Sequence, residues 1–567
     1  MRIGHIDIIV IVVYLLATLG LGVYQALKIR STGDYYAGGR KFNKFYLMMH
    51  SLGTASHADE PVSVIGGAFE KGMSGIWYTY LYLPLTPIFW LLAPYIRRSR
   101  FVTMADFFRT RYDGSLAILY SIMGVLKMSI AIGVVLKGTA TIVRSISGGE
   151  IPEHLAIYAM TVVFVIYGFA GGLRATVITE TIQGPLIVLM SLLIVPFGIH
   201  AAGGFAGLHE ALRANMFDLT VGVGTHGKEF TWKWILASSL TALIGFVAQP
   251  GIMAAFASGK TELEGRVGYT YGTMIKRFCA IGWVMTGVIL AAMVAQGKVD
   301  GTVLAKQREL AFGTAMQVLL PHGLLGLMFA AVFASQMATL SAMMVNSSAL
   351  ASRNLYHGVF RPKAGDREVL NVGRISGLFL VSIGVLLANQ LPSVANALTM
   401  LLQVSTLMGV LVWAGVLWRR TNTAGAWAGF IVLLALWLGF GPVGMLFKHS
   451  WTFLPAWVGR YGTEQDVFDI MIRYLPAGII ALIVVSLLTP APPKKQVDDF
   501  FLLLKTPVGQ EDKLIAAGVH MVYAGNTQAN RLETDHPRLV HWGGFALAAF
   551  ICLLIIGLLF LLARIGG

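Results

Sequence analysis

Cysteine is nearly missing from this chain, with two residues in 567, Cys279 and Cys552. They stand far apart in or beside apolar stretches, so neither a disulfide framework nor a metal cluster can be assembled, and redox chemistry is unsupported. Charge is scarce as well. Asp, Glu, Lys and Arg make up 13% of the residues against 56% hydrophobic, too little polar surface to cover a water-soluble globule. Acids are the scarcer sign, 28 against 43 bases, for a net charge of +15. A nucleic-acid partner would want those bases gathered on a soluble domain with interleaved aromatics, and the sequence contains none. An integral-membrane enzyme would need His, Asp or Cys clustered near an interface, whereas the polar cluster described below sits at mid-span. The chain is therefore not read as an enzyme.

Apolar length is what the chain has in plenty. Runs of about 18 or more residues, enough to cross a bilayer, recur from His5 to the end, and about 14 spans are counted. They start near Ile6, Tyr46, Ile76, Leu116, His154, Thr179, Trp232, Ala280, Gly323, Gly373, Asn396, Ala424, Met471 and Trp542. The expectation is an all-α integral membrane protein in contact with lipid. An even count puts both termini on one side. Basic residues concentrate after span 1 (Lys28, Arg30, Arg40, Lys41, Lys44), span 3 (Arg97, Arg98, Arg100, Arg109, Arg111) and span 9 (Arg353, Arg361, Lys363, Arg367, Arg374). Such loops stay in the cytoplasm, so both termini are predicted to face outward from the plasma (inner) membrane. The first span lacks a small-residue cleavage site and is read as retained.

Two spans lose their apolar pattern. In span 2, Ser51-Leu-Gly-Thr-Ala-Ser-His-Ala-Asp-Glu-Pro61 carries two acids, a histidine, three hydroxyls, a glycine and a proline. Pro61 removes a donor and disfavours helix at Glu60, so the helix is predicted to open between Ser51 and Gly66. Span 7 repeats this more mildly in Gly245-Phe-Val-Ala-Gln-Pro-Gly251. Backbone breaks survive in a membrane only around a buried cavity, and spans 2 and 7 lie five apart, the spacing that two inverted five-helix repeats would produce.

Four segments carry a family resemblance. Ser31-Thr-Gly-Asp-Tyr-Tyr-Ala-Gly-Gly-Arg40, Gly171-Gly-Leu-Arg-Ala-Thr-Val-Ile-Thr-Glu-Thr-Ile-Gln183, Ala248-Gln-Pro-Gly-Ile-Met-Ala-Ala-Phe256 and Lys505-Thr-Pro-Val-Gly509 resemble, in order and topological position, motifs of the sodium:solute symporters. The resemblance implies a LeuT-type fold of inverted repeats with extra flanking helices. On this reading residues 6–26 form a leading span, 46–200 and 232–418 the two repeats, 424–489 spans 12 and 13, 490–540 a cytoplasmic tether or docking segment, and 541–564 the final span.

The resemblance also implies Na+ as the coupling ion, held by backbone carbonyls at Thr54 and His57, the carbonyl of Ser335 and the side chains at Ala338 and Thr339. Ala338 departs from the family's usual serine hydroxyl, which keeps proton coupling as the alternative, along with a transporter-fold sensor. Glu180 matches an acid on the inner ion exit path. The solute, of the sugar, amino acid or carboxylate class, is expected to meet Ser56, Asp59, Glu60, Thr241, Phe246, Gln249 and Gln403. Neither the galactose nor the proline carriers' contact set is reproduced, so the solute stays open. Lys127 and Lys137 in span 4 either face this cavity or snorkel to an interface. The working unit is read as a monomer, with the oligomeric state left open.

Overall fold

The computed structural model describes residues 4–26, 32–222, 229–391, 393–440 and 467–567. Every regular element among them is helical. Seven helices are long and apolar enough to cross a membrane, and five shorter apolar helices accompany them. Burial separates centre from rim. The most apolar stretch of Glu262–Ala295 is 83% buried and that of Leu539–Leu562 only 22%, so the first is central and the second faces outward.

Local chemistry sets the helix starts. Asn43 accepts the Tyr46 N–H at 3.1 Å to cap Lys44–Ala55. Asp113 caps Gly114–Ile146, and Thr261 with Glu264 forms a capping box on Glu262–Ala295, each satisfying donors that a helix start leaves free. The last of these begins 18 residues before the apolar start near Ala280, because Lys276 and Arg277 interrupt its pattern without ending the helix. Spans 5 and 6 run together as Glu153–Leu192 across a kink at Gly172 (φ 53°). A Cβ there would fall 2.6 Å from the Tyr35 ring. Two of the resemblance motifs thus meet at a contact that only glycine permits.

Both broken spans are present, more narrowly than expected. Lys44–Ala55 ends at Ser56, whose N–H bonds the Gly53 carbonyl at 3.3 Å, and Asp59–Lys71 resumes the path. The break is Ser56 to Ala58, not Ser51 to Gly66. Glu60 is helical after all, because Pro61 is the third residue of the new helix, where its missing N–H would have no intrahelical partner. In span 7, Trp232–Phe246 stops and Ile252–Ala257 restarts across the Gln-Pro-Gly turn.

Residues 490–540 dock against the helix ends around Arg100 and Glu262. Arg100, fully buried, donates to the carbonyls of Thr506 and Pro507 at 3.0 Å, and Glu262 accepts the Val508 N–H at 2.9 Å. The Thr-Pro-Val-Gly motif is the segment's clasp. The connection from Ala202 to Thr231 contains the short helix Gly204–Ala211, while residues 441–466 lie outside the described residues.

Candidate solute and cation site at two helix breaks

One helix, Gly114–Ile146, packs against both breaks. A Cβ on Gly124 would stand 3.5 Å from Pro250 in span 7, and one on Gly138 would stand 3.0 Å from the Asp59 backbone in span 2. Fourteen residues, about 21 Å of helix, separate the two contacts. Between them Lys127, Met128, Ala131 and Val135 line a cavity of about 240 Å³, with His57, Asp59, Glu60, Phe246, Gln249, Lys276 and Arg277 on its other walls.

Its charges are mostly paired. Lys276 Nζ lies 2.6 Å from Glu60 Oε1, Thr79 donates to Glu60 Oε2 at 3.2 Å, and Arg277 donates to Thr79 at 2.9 Å. Asp59 pairs with His57 Nδ1, and its second oxygen is buried without a partner. Phe246 stacks on Phe89 at 4.2 Å, and the Gln249 amide approaches the Tyr82 hydroxyl at 3.5 Å. Cavity walls are thus apolar at the sides and ionic at the broken ends.

Beside the cavity, Leu324–Ala349 brings hydroxyls onto the span 2 break. Thr339 donates to the Gly53 carbonyl at 3.1 Å, and Ser335 donates to the Ser56 carbonyl. Four oxygens therefore converge from two helices, a donor set suited to a hard cation. Thr54 and His57 line the cavity, but the Thr54 hydroxyl donates to the His50 carbonyl at 2.7 Å and the His57 carbonyl accepts from Glu60 at 3.2 Å. The carbonyls that meet the hydroxyls are those of Gly53 and Ser56, each one residue before Thr54 and His57. Ala338 falls on the same helix, and its side chain lies outside the described residues.

Ser56, Asp59, Glu60, Phe246 and Gln249 come together at the breaks. Thr241 and Gln403 do not line the cavity: Thr241 contacts Met471 Sδ at 3.3 Å, and Gln403 accepts from Trp437 Nε1 at 3.0 Å. Glu180 is fully buried and pairs with His50, which lines the cavity floor. Lys137 pairs with Glu153 away from the cavity. Sequence reasoning passed over His50, Gly53, Lys276 and Arg277. A Lys-Arg pair before an apolar run reads as the end of a loop, and only the capping box of Thr261 and Glu264 could have moved the helix start upstream.

The sodium:solute symporter family model matches residues 35–432. The chain is similar to the osmoregulated proline transporter OpuE of Bacillus subtilis, at 26% identity over 85% of this chain and 94% of that protein. It is likewise 26% identical to the sodium/pantothenate symporter of Escherichia coli, over 77% and 92% of the two chains. The fold matches a Na+-coupled sialic acid symporter solved in its substrate-bound outward-open state, with a TM-score of 0.74 at 19% identity, over 87% of this chain and 99% of that one. The chain belongs to the sodium:solute symporter family, and with it to the sodium-coupled solute transporters.

Proposed function

We propose that the protein takes up a small polar organic solute across the plasma membrane by alternating access, with sodium and solute bound together at the two breaks. The observation that carries this reading is the cavity bounded by both breaks, with the Thr339 and Ser335 hydroxyls on the Gly53 and Ser56 carbonyls beside it. On this reading Na+ is cargo held by oxygens of Gly53, Ser56, Ser335 and Thr339, and the solute contacts Glu60, Phe246 and Gln249. Spans 2–6 and 7–11 form the inverted repeats within about 14 spans, both termini face outward, and a single copy suffices. No bond in the solute is made or broken. Each ligand drives the cycle only by binding one state better than the other.

Proteoliposomes holding the purified protein test it, with uptake of labelled candidate solutes followed under an imposed sodium gradient. Accumulation that collapses when choline replaces sodium is the expected result. Accumulation indifferent to sodium and driven by pH would overturn sodium coupling. One observation favours a proton as the coupling ion instead: a buried acid and imidazole, Glu180 and His50, are hydrogen-bonded to each other beside Gly53, and ionisable groups buried in a membrane are functional by default.

A further inference from the structure

Lys127 is the 14th residue of Gly114–Ile146, about 20 Å from the helix start. It is 9% exposed, lines the cavity, and has no hydrogen-bond or ion-pair partner among the described residues. Each acid on the cavity wall already faces a base. Glu60 holds Lys276, and Asp59 holds His57 with its other oxygen buried. Arg277 donates to Thr79 and lies over the Tyr82 ring at 5.6 Å. Three cations, Lys127, Lys276 and Arg277, thus face two carboxylates. An ammonium on a buried residue without a counter-charge is costly, and Lys127 lines the space where a solute would lie.

We propose that Lys127 binds the carboxylate of the transported solute, and that the solute class is small organic acids with one carboxylate and no ammonium. This rests on the symport reading above. Position supports the assignment: Gly124, one turn earlier, packs on Pro250, so Lys127 stands at the span 7 break, where Gln249 supplies an amide for the acid's second polar group. Met128, Ala131, Val135 and Phe246 offer an apolar wall to its body. At about 240 Å³ the cavity falls below the ~300–1,000 Å³ of drug-sized sites, as a short acid requires. A zwitterionic amino acid would add a fourth cation to a wall that already carries three against two carboxylates, and a sugar would leave Lys127 uncompensated.

The test is thermal unfolding of the purified full-length protein in sodium chloride and in choline chloride. The panel is propionate, lactate, pyruvate and pantothenate, with propionamide, lactamide, glucose, myo-inositol and proline as comparisons. At least one carboxylate should raise the melting temperature in sodium, and its amide should not. Lys127→Met should keep the sodium-only shift, which reports an intact fold, while weakening the carboxylate at least about 30-fold, the lower end for losing one partner of a buried charge pair. Lys127→Arg should weaken it less. A sodium shift with no response to any carboxylate, or undiminished carboxylate binding by Lys127→Met, overturns the proposal and leaves symport standing. Absence of both the sodium shift and sodium-driven accumulation removes the symport reading itself.

Discussion

Glu180 lies against Gly53: a Cβ on Gly53 would come within 3.0 Å of the Glu180 Cγ, while the Gly53 carbonyl accepts the Thr339 hydroxyl. The family-matched acid and the proposed cation site therefore share one glycine. Glu180 is pinned by His50 and fully buried, so it cannot swing away from an added methyl. Gly53→Ala should push the break off Leu324–Ala349 at a cost of about 1–3 kcal/mol. The sodium concentration for half-maximal uptake should rise about tenfold, since tenfold corresponds to 1.4 kcal/mol. Unchanged sodium dependence would place the ion elsewhere.

The Glu60–Lys276 pair links the restart of span 2 to the central helix, with side chains 13% and 5% exposed. Removing one member strands the other charge. Lys276→Met should destabilise by about 3–5 kcal/mol, and adding Glu60→Gln should recover most of the melting temperature because no orphaned charge remains. Melting curves of both single variants and the double variant check this, and additive losses would contradict it.

Docking of residues 490–540 carries a pH signature. Arg266 Nε lies 2.9 Å from Glu533 Oε1. Burial pushes the Glu533 carboxyl up to about 7, with neighbouring Glu262 adding to the rise and Arg266 opposing it. A carboxyl raised in the docked state binds its proton more tightly there than when released. Its contribution is full below the ordinary value of 4.5 and is lost as pH rises through about 7. Proteolytic cleavage in 490–540 should therefore speed up between about pH 5 and 8 in the wild type, and Glu533→Gln should flatten that slope.

Much of this was legible in the residues, and the losses have physical causes. Both breaks fall where proline follows a polar residue in mid-span, since a helix interrupted in hydrocarbon leaves few alternatives. Their width was overstated, because a polar residue such as Thr54 can sit in intact helix by bonding back to the preceding turn, as it does to the His50 carbonyl. Gln403 and Thr241 looked like solute contacts but bond to neighbouring helices instead. A polar side chain in a span announces a partner without saying which. The Lys276 and Arg277 pairings, made across more than 190 residues, have no local signature at all.

A cluster of charges adjoins the cavity wall at Tyr78. Arg308 contacts Glu70 at 2.5 Å and Glu229 at 3.2 Å, Lys71 reaches Glu229 at 3.3 Å, and Tyr78, a cavity wall, donates to Glu229 at 2.8 Å. The Arg308 carbonyl also presses on Gly66, where a Cβ would fall at 2.8 Å. Arg308 thus ties the restarted half of span 2 to the segment before span 7, and a gate on this side of the cavity would have to release it. Burial alone would raise the Glu229 carboxyl, but Arg308 and Lys71 outweigh it and hold the group below its ordinary 4.5. The closure is therefore present above that value and is lost only as pH falls through the lowered one, leaving it constant near neutrality. Arg308→Ala should shift the population toward the open state, about tenfold for each 1.4 kcal/mol lost. With Cys279 and Cys552 both buried, a single cysteine at cavity-lining Ala131 reports the change. An impermeant maleimide added outside whole cells should label Ala131→Cys several-fold faster in the Arg308→Ala background, and equal rates would show that this cluster does not gate the cavity.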